Sequence, residues 1–266
     1  MALFAHIEGI ALIGPGFDDW NSSRAILRGE TAYGSRPTNL PMPASLPPSE
    51  RRRASRAIKI ALGAGLEAIG ASGRDPASLA TVFSSSAGDG YNCHELCQQL
   101  ATDDRQISPT RFHNSVHNAP SGYWSIASGA MATSSVLCAS DASFGAGLLE
   151  ALAQVAVERI PVVLIAYDTD YPEPLRSKRP VPDAMGVGLV LVPATSARSQ
   201  ATLAVACTNA VADVLEDPAL EALRTSIPAA RALPLLRWLA ATGAGSTARI
   251  TIDYLPGTQL ALEVTT

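Results

Sequence analysis

Apolar and polar positions alternate along the chain in blocks that read as strands and helices in turn. IEGIALIG is a short apolar run that ends at Gly14-Pro15-Gly16, the signature of a strand leaving a sheet. A Pro- and Gly-rich loop is expected from about Asn21 to Pro48. SERRRASRAIKIALGAGLEAIGASG then reads as one helix. Ser49 is its expected N-cap, Ala57, Leu62, Leu66 and Ile69 lie near one face, and Gly70 and Gly73 stop it. LATVFSSS is a strand running into the turn Ala87-Gly88-Asp89-Gly90, and YNCHELCQQLA follows as a helical piece.

SGYWSIASGA reads as helical and TSSVLCAS as a strand, β-branched and apolar. DASFGAGLLEALAQVAVE is a helix that Ser140 or Asp141 is able to cap, with Pro161 beyond its end. VVLIAY is uncharged, as a central strand is. MGVGLVLVP is another apolar strand, after the loop DTDYPEPLRSKRPVPD. From about Ser196 the pattern gives a strand, ATLAVA, helical segments around LPLLRWLAA, and a closing hairpin, RITIDYL and QLALEV, around Pro256-Gly257. Strands and helices in alternation predict an α/β fold. No short-period repeat is visible.

The 266 residues are 47% hydrophobic and 17% charged, which suits a sizeable core. The net charge of −4 is spread along the chain and provides no basic field for nucleic acid. MALFAHIEGIALIGPGF has no Lys or Arg ahead of its apolar residues, so no secretory signal is expected, and no apolar run approaches the ~18 residues of a membrane span. Four cysteines make no disulfide framework, and a reduced, cytoplasmic protein is expected.

Cys93, Cys97, His113 and His117 are spaced C-x3-C-x15-H-x3-H, close to a zinc pattern. The segment sits inside an apolar α/β chain, so no metal is expected there; a zinc-stabilised interaction protein is a minor alternative. GPGFDD lacks the third glycine of a dinucleotide fingerprint, and no phosphate loop is present. No cofactor is expected. SSSAGDG is either a polar site or, more commonly, a strand exit in which serines satisfy turn amides. Arg51, Arg52, Arg53, Arg56 and Lys59 share one helix, and Arg176, Lys178 and Arg179 form a second basic patch in a loop. Each is a solvated face or a docking surface for an acidic carrier.

Cys138 stands between a strand and a helix. A helix N-terminus lowers a thiol's pKa, and its amides can hold an oxyanion, so a nucleophile there is chemically sensible. A buried, idle cysteine is the commoner case. The four histidines are His6, His94, His113 and His117, and none follows residue 117.

ISPTRFHNSVHNAPSGYWSIASGA, TSSVLCAS, FGAGLLEALAQV, PVVLIAY and MGVGLVLV follow one another as in the first half of β-ketoacyl synthases. IEGIALIG, RAIKIALGAGLEAIG and LATVFSSSAGDG fit the same half in order. The chain resembles this thiolase-fold family, and most of all its chain-length-factor-like group from aryl polyene and xanthomonadin-type pigment clusters. HNAPSGYWSIA and SFGAGLLEALAQ are the most specific stretches. The resemblance implies a complete first half over residues 1–195 and a shortened second half over 196–266, packed into the same domain.

Active members use a cysteine in the first half and two histidines in the second. Counting forward from Asn118, Gly122 and Gly129 puts the nucleophile position at Ser140; counting back from VVLIAY gives Asp141. Cys138 falls short by about 7–10 Å of extended chain. Phe144 stands where active enzymes prefer a small residue, and is expected to line or gate an acyl tunnel. The resemblance thus implies a chain that is not catalytic alone. It would form a heterodimer with a ketosynthase, pairing through TSSVLCAS, with an acyl carrier protein as transient partner. The alternative is an independent acyl-transferring or condensing enzyme that uses Cys138 with His113 or His117.

Overall fold

A computed structural model describes residues 3–241, 243 and 245–266. In chain order its elements are β1 (Leu3–Ile13), α1 (Trp20–Leu27), α2 (Pro48–Arg53), α3 (Arg56–Ser72), β2 (Ala80–Ser84), α4 (Gly90–Leu100), α5 (Pro109–His113) and α6 (Ala119–Ser128). Then come β3 (Ser134–Leu137), α7 (Ser143–Glu158), β4 (Val162–Asp168), α8 (Leu175–Lys178), β5 (Met185–Val192) and β6 (Ala201–Thr208). The chain ends with α9 (Pro218–Ser226), α10 (Leu233–Ala241), β7 (Thr247–Leu255) and β8 (Thr258–Thr265).

The strands form one sheet in the order β3-β2-β4-β5-β1-β6-β8-β7. β2 runs parallel to β3 and β4; the other neighbours are antiparallel. β1 joins two wings. Its residues His6–Ile13 pair with β5 and Leu3–Ile7 pair with β6, with a shift of register between Ile7 and Gly9. β4 and β5 are buried along their whole length, which explains their unbroken apolar sequences.

α7 is wedged between the wings. Gly147 lies against β2 and β4: a Cβ there would stand 2.7 Å from Ser84 Cβ and 2.9 Å from Leu164 Cδ1. Two residues earlier, Gly145 lies against Tyr254 and Leu260 of the closing hairpin. Leu148, Leu152 and Val155 of α7 join Val82, Leu164, Leu189, Leu233 and Leu236 in an inner core. A second core lies on the other face of the sheet, under α3 and α6, and holds Ile60, Phe83, Trp124 and Tyr167. Each fully buried Leu or Phe contributes about 1.5–3 kcal/mol.

Four features depart from the sequence reading. The helix expected from Ser49 is two helices. No residue of α2 is fully buried: Arg52 and Arg53 are exposed, and Arg51 folds back onto the carbonyls of Ala44 and Leu46 rather than toward α3. The chain extends at Ala54, and Ser55, not Ser49, caps α3, its Oγ accepting from Ile58 N. The expected loop after Asn21 begins with α1, capped by Asp19 and anchored by buried Trp20, Ser23 and Leu27. Neither Ser140 nor Asp141 caps α7 with its side chain; a 3-10 turn over Ser140–Ala142 leads into the helix instead. The 175–179 patch also contains a helical turn, α8. Among the described residues no helix is long and apolar enough to cross a membrane.

Candidate functional site

β3 is an edge strand, and the chain turns from it into α7 through a tight elbow. Ser140 is the left-handed residue of that turn, with φ +50°. An L-residue pays for this conformation, and such strain concentrates at functional turns. Ser143 holds the elbow shut: its Oγ donates to Ser140 O at 2.7 Å and accepts from Ala139 N at 3.0 Å. Ser84 Oγ in turn donates to Ser143 O at 2.5 Å.

Two side chains at the elbow have partners. Cys138 Sγ donates to Ser86 O at 2.9 Å. Asp141 makes an ion pair with Arg179 at 2.6 Å. Ser86 links the elbow to the buried end of β4. Its hydroxyl meets Tyr171 Oη at 3.2 Å, and its amide donates to Asp168 Oδ1 at 2.8 Å. Asp168 Oδ2 accepts from Ala229 N at 2.8 Å. Burial pushes the Asp168 carboxyl up to about 6, although the Ser86 hydroxyl and both amides favour its charged form. Ser86 and Tyr171 were not singled out from the sequence. Their roles depend on contacts between residues more than 80 positions apart in the chain.

Phe144 is completely buried in the inner core. It does not line the shallow groove of about 470 Å³ beside the elbow. Leu3, Leu137, Cys138, Ala146, Leu149 and Tyr254 are among the residues that do. Cys138 is exposed at this groove, and all four cysteines are free thiols.

One histidine approaches the elbow: His117 reaches Ser85, the neighbour of the Ser86 whose carbonyl accepts from Cys138. His117 Nε2 is 3.2 Å from Ser85 O, and His113 packs edge-on to Tyr123. His6 pairs with Thr202. Cys93 and Cys97 sit exposed on α4, and burial raises the Cys93 thiol. Among the described residues no three of His, Cys, Asp and Glu are placed to hold a metal ion. In the turn after β2, Ser85 Oγ accepts from Gly88 N at 3.1 Å, the role expected of a serine at a strand exit.

Arg56 ties the first basic patch to the loop that carries the second. Arg56 pairs with Asp183 at 2.5 Å and Asp170 at 3.2 Å, and these aspartates flank the segment that carries Arg176, Lys178 and Arg179. Arg51 donates to the carbonyls of Ala44 and Leu46, and Arg53 pairs with Glu50. Arg52, Lys59, Arg176 and Lys178 make no ion pair among the described residues. A groove of about 400 Å³ runs between α2–α3 and α4–α5, lined by Arg52, Arg53, Arg56, Arg111, Asn92 and Asn114 among others. The asparagines brace it: Asn114 Nδ2 donates to Arg53 O and Asn92 Nδ2 to Arg111 O. Arg111 was not picked out from the sequence, because only the fold brings it beside the α2 arginines.

Solved structures with this fold were found over nearly the whole chain. A ketosynthase (ApeO) in complex with its chain length factor (ApeC) from Xenorhabdus doucetiae matches over 98% of this chain and 99% of that chain, with 20% identity and a TM-score of 0.72. The ishigamide ketosynthase/chain length factor matches over 98% of each chain, with 13% identity and a TM-score of 0.74. A type II PKS acyl-carrier protein in complex with its ketosynthase (AntDE:AntF) matches over 100% of each, with 12% identity and a TM-score of 0.75. No curated protein matches the sequence. The layered α/β architecture is therefore thiolase-like, as in ketosynthases. The family model for the beta-ketoacyl synthase N-terminal domain matches residues 24–249, and the chain belongs to that family.

Proposed function

We propose that the chain is a non-catalytic, chain-length-factor-like partner of a ketosynthase in aryl polyene biosynthesis. The observation that carries this reading is the elbow. The left-handed position, where the family's nucleophile is expected by counting, holds Ser140. The next residue, Asp141, is committed to Arg179. Cys138, two positions earlier, donates its thiol to a backbone carbonyl. No histidine follows residue 117 to supply the second half of the chemistry.

Partnership is supported by the β3 edge. In a parallel ladder a residue's N–H and C=O point to the same neighbour, alternating along the strand. The carbonyls of Thr133 and Leu137 accept from β2, so Ser134 and Val136 turn their backbone groups outward. Exposed Phe112, Val116, Ile126 and Met131 lie on the segments leading into β3. An open edge beside apolar side chains suits pairing with a second subunit.

In this reading residues 1–195 are the family's first half and 196–266 a shortened second half. Phe144 fills the space behind the elbow, and the acyl chain grows from the ketosynthase's own nucleophile. The arginine-lined groove and the 176–179 patch dock an acidic acyl carrier protein. The test is reconstitution with an aryl polyene ketosynthase. A stable heterodimer that extends the acyl chain when Cys138 is replaced by Ala supports the reading; loss of elongation with the complex intact would transfer the chemistry to Cys138.

A further inference from the structure

Half of the zinc-like spacing survives in the fold as a pair of neighbouring thiols. Cys93 and Cys97 sit on α4, which Asp89 caps, its Oδ1 accepting from Asn92 N at 3.0 Å. Asn92 and Leu96 turn to the interior, and Cys93 and Cys97, each one residue further on, are both exposed. Residues four apart on a helix share a face. Here the two thiols are within hydrogen-bonding reach of one another, and burial and the neighbouring Cys97 both raise the Cys93 thiol. Among the described residues neither sulfur is hydrogen-bonded to any other group, in contrast to Cys138, which donates to Ser86 O.

The pair is neither a zinc site nor a ready disulfide. Structural zinc takes four ligands. His113 packs against Tyr123, His117 reaches Ser85 O, and no third His, Cys, Asp or Glu is placed to complete a cluster among the described residues. A disulfide needs Cβ atoms about 3.5–4.5 Å apart, whereas those of residues four apart on a helix stand about 5–6 Å apart. Closing that gap requires α4 to deform. Two sulfurs that approach without bonding suit a soft ion of low coordination number, which sits between them and needs no third ligand.

We propose that Cys93 and Cys97 form a two-thiolate site for univalent copper. Soft thiolate ligands select Cu(I), and Cu(I) accepts two ligands in a near-linear array. Each sulfur gives its proton to solvent as its bond to the metal forms, so one Cu(I) and two thiolates leave a single net negative charge, and no electron is transferred. The exposed face of α4 is the path of entry. The site is distinct from Cys138 and stands whether or not the chain partners a ketosynthase.

The test uses the full chain, reduced and under argon, titrated with the acetonitrile complex of Cu(I) in competition with bicinchoninate. One Cu(I) per chain should be withdrawn from the chelator, and X-ray absorption at the copper edge should show two sulfur neighbours. Cys93→Ser and Cys97→Ser, both at exposed positions, should each weaken binding at least tenfold, while Cys138→Ser with Cys207→Ser should leave it unchanged. Cys97→Ser with Glu95→Cys, also at an exposed position, keeps two thiols on α4 but sets them two residues apart on different faces, and should bind no better than Cys97→Ser alone. A tenfold excess of Zn(II) should not displace the copper. Affinity unchanged in either single variant, binding restored by Glu95→Cys, binding lost with Cys138 and Cys207, or displacement by Zn(II) would each overturn the proposal.

Discussion

Ser140 holds a backbone conformation that only glycine adopts without strain, and replacing it by glycine should stabilise the fold. The left-handed region costs an L-residue about 1–2 kcal/mol. Glycine gives back about 0.4–1 kcal/mol through the greater freedom of the unfolded chain. The net gain for Ser140→Gly is about 0.5–1 kcal/mol. A chain of this length loses about 2.1 cal/mol/K of entropy per residue on folding, so each kcal/mol moves Tm by about 2 °C. A rise of about 1–2 °C is expected in a thermal melt. The hydroxyl of Ser140 makes no hydrogen bond among the described residues, and the bond from Ser143 goes to its backbone carbonyl, which glycine keeps. Ser140→Ala retains the Cβ and should leave Tm unchanged, while Ser140→Val should lower it. Arg159, the other non-glycine residue with positive φ among the described residues, at +58°, provides a control remote in sequence from the elbow. A Tm for Ser140→Gly at or below the wild type, with Arg159→Gly raised, would refute the strained-elbow argument.

Other outcomes follow from the same contacts. Asp168 is raised by burial from its ordinary 3.8 to about 6, so the folded chain binds its proton more tightly than the unfolded chain. Its penalty is full above pH 6 and is relieved as the pH falls toward 4, by about 3 kcal/mol at most. Wild-type stability relative to Asp168→Asn, from urea melts, should therefore increase between pH 7 and pH 5; a flat difference would contradict this. Gly147→Val drives a side chain into Ser84 and Leu164 and should cost about 1–3 kcal/mol or more in the same melts. Val136→Pro removes an outward-facing N–H from β3 and should weaken the complex with the ketosynthase in sedimentation experiments while leaving the isolated chain folded.

The parts of the fold that were legible in the sequence are those whose burial is uniform. β4 and β5 are covered on both faces, so their residues are apolar without interruption. α3 stops where expected because Gly73 takes the left-handed C-terminal position, at φ +64°. α1 was missed because it has only eight residues and stands beside a Pro-rich loop, although Trp20, Ser23 and Leu27 repeat at helical spacing. The split between α2 and α3 was hidden because Ser49 and Ser55 are equally good caps as letters, and only burial on the sheet chooses between them. At the elbow, counting left Ser140 and Asp141 as equals; the structure adds that Ser140 is the left-handed residue, which no residue type announces. The Arg179–Asp141 pair and the Asp168–Ser86 link join segments that the linear sequence keeps apart.

The central claim is that a second subunit, not this chain, holds the nucleophile. Elongation by the reconstituted heterodimer, with Cys138→Ala and Ser140→Ala combined here and the ketosynthase intact, tests it most directly. The account predicts products of unchanged length at an unchanged rate. Loss of elongation from an intact heterodimer, or failure of the two chains to form one, would contradict it.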